Sequence, residues 1–430
     1  MGGNAFAHAV SGNTPTLYTP RVTPKKYDQL KQLYELKLRR HLPGRQVNIL
    51  KEAPEKRDYG DLDFVIESAH EPVDWQILAG QIGAAGLIIH SSDKVQSCSV
   101  AVPMDGSASA GFTIYKLKHN LTGLSMEVTK EEYAQIDLGV VPKELFEWHS
   151  FYSSFGDMSG MLGHMVHNLG FTICDRGLML RLAELEAAKD MTFVNIPDTC
   201  GKLFLSKDPQ KLLDFLGLSY DTYQQGFDTA DDLYRWLCQC RLLSKDSIKV
   251  KRDDANGRQK ERKRPVYSTF FNDWLPAYLE TSVNHTADPQ LIPASSRYSS
   301  QRQDLALEAV AFFDKRTEYE RMSTALVYKI KSQSVENLLK PIISQHSGLK
   351  EKKLAEVVRS FRRWVGFQGE IPYILNSPNE DEQSELYKFL GKEDTTKLRD
   401  EEGVGEWVKG NWEMIKALER ERAKVSKSPV

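Results

Sequence analysis

The sequence predicts an α+β fold: a small mixed β-sheet of about four or five strands with flanking helices, followed by a mainly α-helical region. Three observations lead there. Short apolar runs of strand length cluster between Gln46 and Val141, with one helical stretch among them. After Glu144 the spacing of apolar residues turns helical. At 430 residues, with 40% hydrophobic and 27% charged side chains, the chain is too long for one ordinary core yet has a globular composition. The expected division is an α/β domain over 1–180, a helical domain over 181–330 and a C-terminal helical region over 331–430.

The elements follow in order. Residues 1–25, rich in Gly, Asn, Thr and Pro, read as an extended arm. Pro24 stands just before a helical pattern from Tyr27 to Leu42 that carries Leu30, Leu33, Leu36 and Leu38. Gln46–Leu50 is a short strand, 51–60 a turn-rich segment, and Asp61–Ile66 a second strand. Residues 73–90 read as helix and then an apolar run. Ser97–Val102, Gly111–Leu117 and Tyr133–Val141 complete the strands. From His149 to Leu185 the pattern reads mostly as helices broken by glycine turns, and 208–243 as further helices. Residues 245–264 form a hydrophilic basic loop, 265–275 return to core-like content, and the chain from Ser300 is helical and charged with a basic tail. No internal repeat is present.

Composition excludes several functions. The net charge of −2 is far from that of a protein held to nucleic acid by bulk charge, which leaves a local patch as the route to RNA or DNA. The five cysteines are irregularly spaced, with no zinc-knuckle or redox pair, and read as reduced thiols. The start MGGNAFAHAV lacks the basic and apolar parts of a secretory signal, and no window approaches the ~18 apolar residues of a membrane span. The expectation is a soluble protein of the cytoplasm or nucleus with no membrane partner; the oligomeric state is open. No Gly-x-Ser-x-Gly elbow suggests a serine hydrolase. His164 and His167 share a helix face without further zinc ligands and read as surface or substrate-facing histidines.

The chemistry concentrates in Asp58-Tyr-Gly-Asp-Leu-Asp-Phe-Val-Ile66. Residues i and i+2 of a strand share a face, so Asp61 and Asp63 stand side by side while Leu62 and Phe64 point into the core. Adjacent carboxylates repel unless a cation lies between them. Mg2+, or Mn2+ in its place, takes oxygen ligands from one or two carboxylates and substrate phosphates. Gly60 permits a tight turn and leaves room for a bulky substrate. A second strand, Tyr133–Val141, carries a single acid at its centre, Asp137. A charge there is costly unless paired or bound to metal. If the two strands are neighbours, three carboxylates converge, the minimum set for two-metal phosphoryl or nucleotidyl transfer.

Gly60-Asp-Leu-Asp-Phe64 together with Gln135-Ile-Asp-Leu138 resembles the nucleotidyltransferase superfamily that includes DNA polymerase beta and the CCA-adding enzymes. The order of segments is most similar to nucleotidyltransferase-like proteins of fungi and large phages. Those share a Gly-Gly-Asn-Ala-Phe start (Gly2 to Phe6), the two acid strands, and a Glu147-Trp148 plus Phe151-Tyr-Ser153 segment. The resemblance spans roughly 1–240. It implies transfer of a nucleoside monophosphate from a nucleoside triphosphate to a hydroxyl acceptor: RNA, a protein or a small molecule. Asp61 and Asp63 would bind both metals and Asp137 the catalytic one, with Tyr152, Ser153 and Asp157 bordering the pocket.

The chain departs from that family at one place. The Gly-Ser or Gly-Gly that normally cradles the triphosphate before the acid pair is replaced by Leu50-Lys-Glu-Ala-Pro-Glu-Lys-Arg57, where Pro54 has no N–H to offer. Side-chain charge from Lys51, Lys56 and Arg57 is one replacement. The arm residues Gly2, Gly3 and Asn4, folded over the acids, are another. The third reading is a catalytically degenerate binding or scaffold protein on the same fold.

Overall fold

The structure, a computed structural model, describes residues 3–12, 14–92, 95–117, 127–189, 197–243, 264–283, 298–368, 371–378 and 400–425. It is mixed α/β. The chain divides into two compact units, residues 1–179 with 204–305, and residues 180–203 with 306–430.

The first unit is built on a mixed sheet of eight strands: β1 Ala9–Val10, β2 Thr16–Tyr18, β3 Val47–Ile49, β4 Asp61–Glu67, β5 Gly86–Ser92, β6 Val95–Pro103, β7 Thr113–Leu117 and β8 Val128–Val141. Their order is β1-β7-β5-β6-β8-β4-β3, with β2 also paired to β8. The sheet is therefore larger than the four or five strands expected. Two features account for the difference. The apolar run after the helix at residue 82 is a strand of its own, and the N-terminal segment is no free arm but supplies β1 and β2.

One face of this sheet is covered by helices. α1, Pro24–His41, starts at a proline whose missing N–H is harmless in the first turn and ends in Arg39, Arg40 and His41, which suit the negative end of the helix dipole. α2, Trp75–Ile82, is capped by the Asp74 carboxylate, which accepts from the N–H groups of Gln76 and Ile77, and stops at Gly83 in the left-handed conformation. Tyr27, Leu30, Tyr34 and Leu38 of α1 and Leu78, Ala79 and Ile82 of α2 bury Leu62, Phe64, Ile66, Ile136, Leu138, Val140, Cys98 and Val100 of the sheet. These are alternate residues of β4, β8 and β6, so the intervening ones turn to the opposite face.

That opposite face is covered only in part. At one end α3, Phe146–Tyr152, sets Phe146 on Val65 and Val141. At the other, Phe6, Ala9 and Leu17 pack on Ile88, Ala101 and Tyr115. Phe6 is fully buried and meets Tyr115 edge-on at 5.8 Å between ring centres. A side chain at Gly86 would lie 2.5 Å from Leu17 and 2.9 Å from Phe6, so glycine makes the seat for both. The strip between the two patches carries the acids.

The rest of the first unit is largely helical, including α4 Met158–His167, α5 Pro209–Leu216, α6 Tyr220–Gln225 and α7 Ala230–Cys238. The expectation of mostly helices from His149 to Leu185 holds for α3 and α4 and is corrected by strands at Phe171–Cys174 and Gly177–Arg181, which join Lys202–Ser206 in a three-stranded sheet. Burial alternates along Phe171–Cys174, and Gly177 at φ +135 faces the Ser206 carbonyl where a Cβ would sit at 2.5 Å. His164 is not a surface histidine: it is buried, hydrogen-bonded to the Tyr267 hydroxyl and 4.4 Å from the Phe271 ring. The core-like stretch after Arg264 is buried through Tyr267, Phe270, Phe271 and Leu275. All of the basic loop but Arg264, that is 245–263, and the tail 426–430 lie outside the described residues.

In the second unit, α8 Arg316–Ser347, α9 Glu351–Trp364 and α10 Glu401–Val425 share a core of Ile343, Val357, Phe361, Val408 and Ile415. A two-stranded hairpin, Val365–Gln368 with Ile371–Ile374, interrupts the helices there and was not foreseen.

Phe6 gives a direct test of the N-terminal segment as part of the core. Phe6→Ala is expected to lower the stability of the first unit by about 3–5 kcal/mol, read as a shift of its unfolding transition. A shift no larger than that of an exposed residue would return the segment to the status of a loose arm.

Candidate metal centre

Asp61 and Asp63 lie on β4 and Asp137 on β8. The two strands are parallel neighbours, with Asp63 opposite Asp137 and Asp61 opposite Gln135. All three carboxylates therefore leave the same face of the sheet, and an oxygen from each lies within 4.8 Å of the others, close enough to hold a metal ion. Leu62, Phe64, Ile136 and Leu138, buried on the other face, lock the alternation: a slip of one residue would exchange acids for core.

The electrostatics follow from that packing. Burial, reinforced by Asp61, Asp137 and Glu52, pushes the Asp63 carboxyl up to about 8. Burial also raises Asp61, with Asp137 and Glu52 adding to it, while an N–H bond from Gly3 and the charge of Lys56 oppose the rise. Among the described residues none of the three forms an ion pair. Crowded, unpaired, hard oxygen donors are the donor set that Mg2+ or Mn2+ takes, so the residues present fit such an ion.

Two side chains that sequence reasoning did not assign complete the centre. Gln135, buried at 2% exposure, accepts the Ala5 N–H on its amide oxygen at 3.0 Å and donates from its amide nitrogen to both oxygens of Asp137, at 2.9 and 3.1 Å. The Ala5 contact decides which way the amide points, and hence that it offers a donor to Asp137. The Gln-x-Asp spacing, i and i+2 on a strand, was the available signal. Glu52 brings a fourth acid close to Asp61 and Asp63; its carboxylate accepts from Tyr27 Oη at 3.1 Å and pairs with Lys56. Its place in an irregular loop gave no periodicity from which to find it.

The expected phosphate-binding residues separate. Gly3 sits at φ +86 against Gly60, where any Cβ would fall 2.0 Å from the Gly60 oxygen, and its N–H reaches Asp61. Its carbonyl accepts from Thr19 Oγ1 at 3.2 Å. Asn4 is exposed beside it, and Gly2 lies outside the described residues. Gly60 is buried under that contact. Lys51 points elsewhere: its ammonium donates to the carbonyls of Tyr223 and Gln224, at 3.2 and 2.8 Å, and lies over the Tyr223 ring. Lys56 remains near the acids. Arg57 is exposed and forms no hydrogen bond or ion pair among the described residues. Asp157 pairs with Arg264 at 3.3 Å.

No protein-family model matches the chain and no curated protein matches it significantly, so the centre is read from its own geometry. No helix among the described residues is long and apolar enough to cross a membrane.

Two outcomes follow. Asp63 holds its proton more tightly folded than unfolded, so its contribution to stability is fully present below about pH 4 and lost as pH rises through about 8. The metal-free protein should melt at falling temperature across that window, Asp63→Asn should flatten the fall, and added Mg2+ should oppose it; melting curves in chelator and in Mg2+ measure this. Gly3→Ala, which cannot fit against Gly60, should displace the segment from Asp61 and Gln135 and lower divalent-metal affinity by about tenfold, measured by Mn2+ titration.

Proposed function

We propose that the chain is a metal-dependent nucleotidyltransferase that moves a nucleoside monophosphate from a nucleoside triphosphate to a hydroxyl acceptor. The observation that carries this reading is the co-facial set Asp61, Asp63 and Asp137 on two adjacent parallel strands. The resemblance of Gly60–Phe64 and Gln135–Leu138 to the polymerase-beta-like superfamily supports it.

The bound ions would supply charge for the triphosphate and the attacking oxygen. Asp61 and Asp63 would hold both, and Asp137 the one beside the acceptor. The acceptor oxygen bonds to the α-phosphorus, the α–β phosphate bond breaks, pyrophosphate leaves, and the acceptor proton passes to an Asp137 oxygen. Lys56 is the cation best placed to meet the triphosphate by leaving Glu52, and Lys51 is committed to backbone carbonyls. With no glycine-serine cradle, the Gly3 segment, whose N–H reaches Asp61, is the backbone proposed to meet the triphosphate.

One observation favours a second reading, a binding or scaffold protein. The loop that replaces the cradle is fixed by its own contacts: Lys51 to the Tyr223–Gln224 carbonyls, and the Glu55 carboxylate accepting from the Ala230 N–H at 2.9 Å. Of its backbone, the Lys51 N–H is taken by Ser154 Oγ at 3.2 Å and Pro54 has none to offer.

Incubation with each labelled triphosphate and total cellular RNA, with and without metal, tests the two. The enzyme should transfer label only with metal. Asp63→Asn and Asp137→Asn should each lower transfer by at least about a hundredfold with the fold kept and metal-free stability equal or higher. Full activity in either variant ends the catalytic assignment, and absence of triphosphate binding in the intact chain selects the scaffold.

A further inference from the structure

Among the described residues, Asp137 is the one acid of the triad that another side chain holds. Gln135 precedes it by two residues on β8 and so shares its face. The Gln135 amide nitrogen donates to both Asp137 oxygens, at 2.9 and 3.1 Å. A nitrogen so nearly equidistant from the two stands in front of the carboxylate, close to its bisector. A cation chelated by both oxygens of Asp137 would need that same place. The amide is not free to leave it. Its oxygen accepts from the Ala5 N–H at 3.0 Å, so turning it over would set acceptor against acceptor at Asp137 and donor against donor at Ala5. Swinging it outward would break all three bonds at a side chain only 2% exposed.

An ionised carboxylate offers about four lone-pair positions. The amide takes the two inner ones, and the outer two point away from each other. Asp137 can therefore give any one ion a single oxygen. Divalent cations differ in what they ask of a carboxylate. Mg2+ keeps a near-octahedral shell at ~2.0–2.1 Å and is served by single oxygens, and Ca2+ gathers about six to eight oxygens at ~2.3–2.6 Å and readily takes both from one carboxylate.

We propose that Gln135 is the ion-selectivity residue of the centre: by filling the chelating position of Asp137 it admits Mg2+ or Mn2+ and discriminates against Ca2+. The proposal rests on the metal-binding part of the nucleotidyl-transfer reading and on nothing in it that concerns nucleotide or acceptor. The N-terminal segment takes part, because the Ala5 N–H decides which end of the amide faces Asp137.

The experiment reads binding alone. Mn2+ binding to the intact chain is followed by loss of the free-ion EPR signal, and Mg2+ and Ca2+ are titrated in as competitors. The ratio of their affinities is then compared with that of Gln135→Met, which keeps the bulk without the donor, and of Ala5→Pro. The backbone at Ala5, with φ −61, suits proline, so the second variant removes the N–H that fixes the amide and leaves Gln135 in place. The intact chain should prefer Mg2+ to Ca2+, and the preference should fall by about tenfold in Gln135→Met. A purely structural role would weaken both ions together and leave the ratio unchanged. An unchanged ratio in Gln135→Met, or Ca2+ bound by the intact chain as tightly as Mg2+, overturns the proposal and leaves the nucleotidyl-transfer reading standing. If Gln135→Met binds no Mn2+, the ratio in Ala5→Pro decides in the same way. An intact chain that binds no Mn2+ removes the centre, and with it both the reading and the proposal.

Discussion

Three carboxylates held against one another on a sheet face are the constraint around which this unit is arranged. Their repulsion costs stability, and burial deepens the cost, as the raised Asp63 carboxyl records. What keeps them together is the opposite face. Leu62, Phe64, Ile136 and Leu138 are sealed under α1 and α2, and the pleat then leaves Asp61, Asp63 and Asp137 no other side to take. A core that size can hold a like-charged cluster that would separate on a loop. A cation held between the three acids would relieve that repulsion.

The second element of the centre is the N-terminal segment. Phe6 and Leu17 anchor it over Gly86 and Ala101, and from that anchor Gly3 and Ala5 direct N–H groups at Asp61 and Gln135. Gln135 passes the constraint to Asp137. The Gly3 N–H thus offsets part of the cluster's charge at its edge, and Gln135 does the same for Asp137. The loop at 51–57 contributes differently, placing Glu52 and Lys56 beside the acids as an internal pair and sending Lys51 away into the helices near Tyr223. The cationic side chains there look equivalent in the sequence and have different partners in space.

The acid strands were legible in the sequence because period-two alternation and strand length say which residues share a face, and Asp-x-Asp and Gln-x-Asp follow from that rule. Helix α1 was legible through its leucines and Pro24. β1 and β2 were not, being strands of two and three residues in a Gly-, Thr- and Pro-rich context whose pairing with β7 and β8 is set by tertiary contacts. The hairpins at 171–181 and 365–374 were hidden for a related reason: strands of four or five residues carry too little pattern to outweigh the helices around them. Glu52 carried no local signal, since what distinguishes it is its nearness in space to Asp61 and Asp63.

The parallel pairing of β4 with β8 also bears on how the molecule is assembled. β8 is the last strand of the eight in chain order, yet it lies between β4 and β6 and also receives β2. Until it arrives, Asp61 and Asp63 have no third acid, Gln135 has no Ala5 to bind, and the N-terminal segment lacks one of its two strand partners. Long-range pairing of this kind closes late and slowly. The set of acids able to hold a cation is therefore complete only once β4 and β8 have paired, so the rate at which a refolding chain gained metal affinity would be a clock for completion of the sheet.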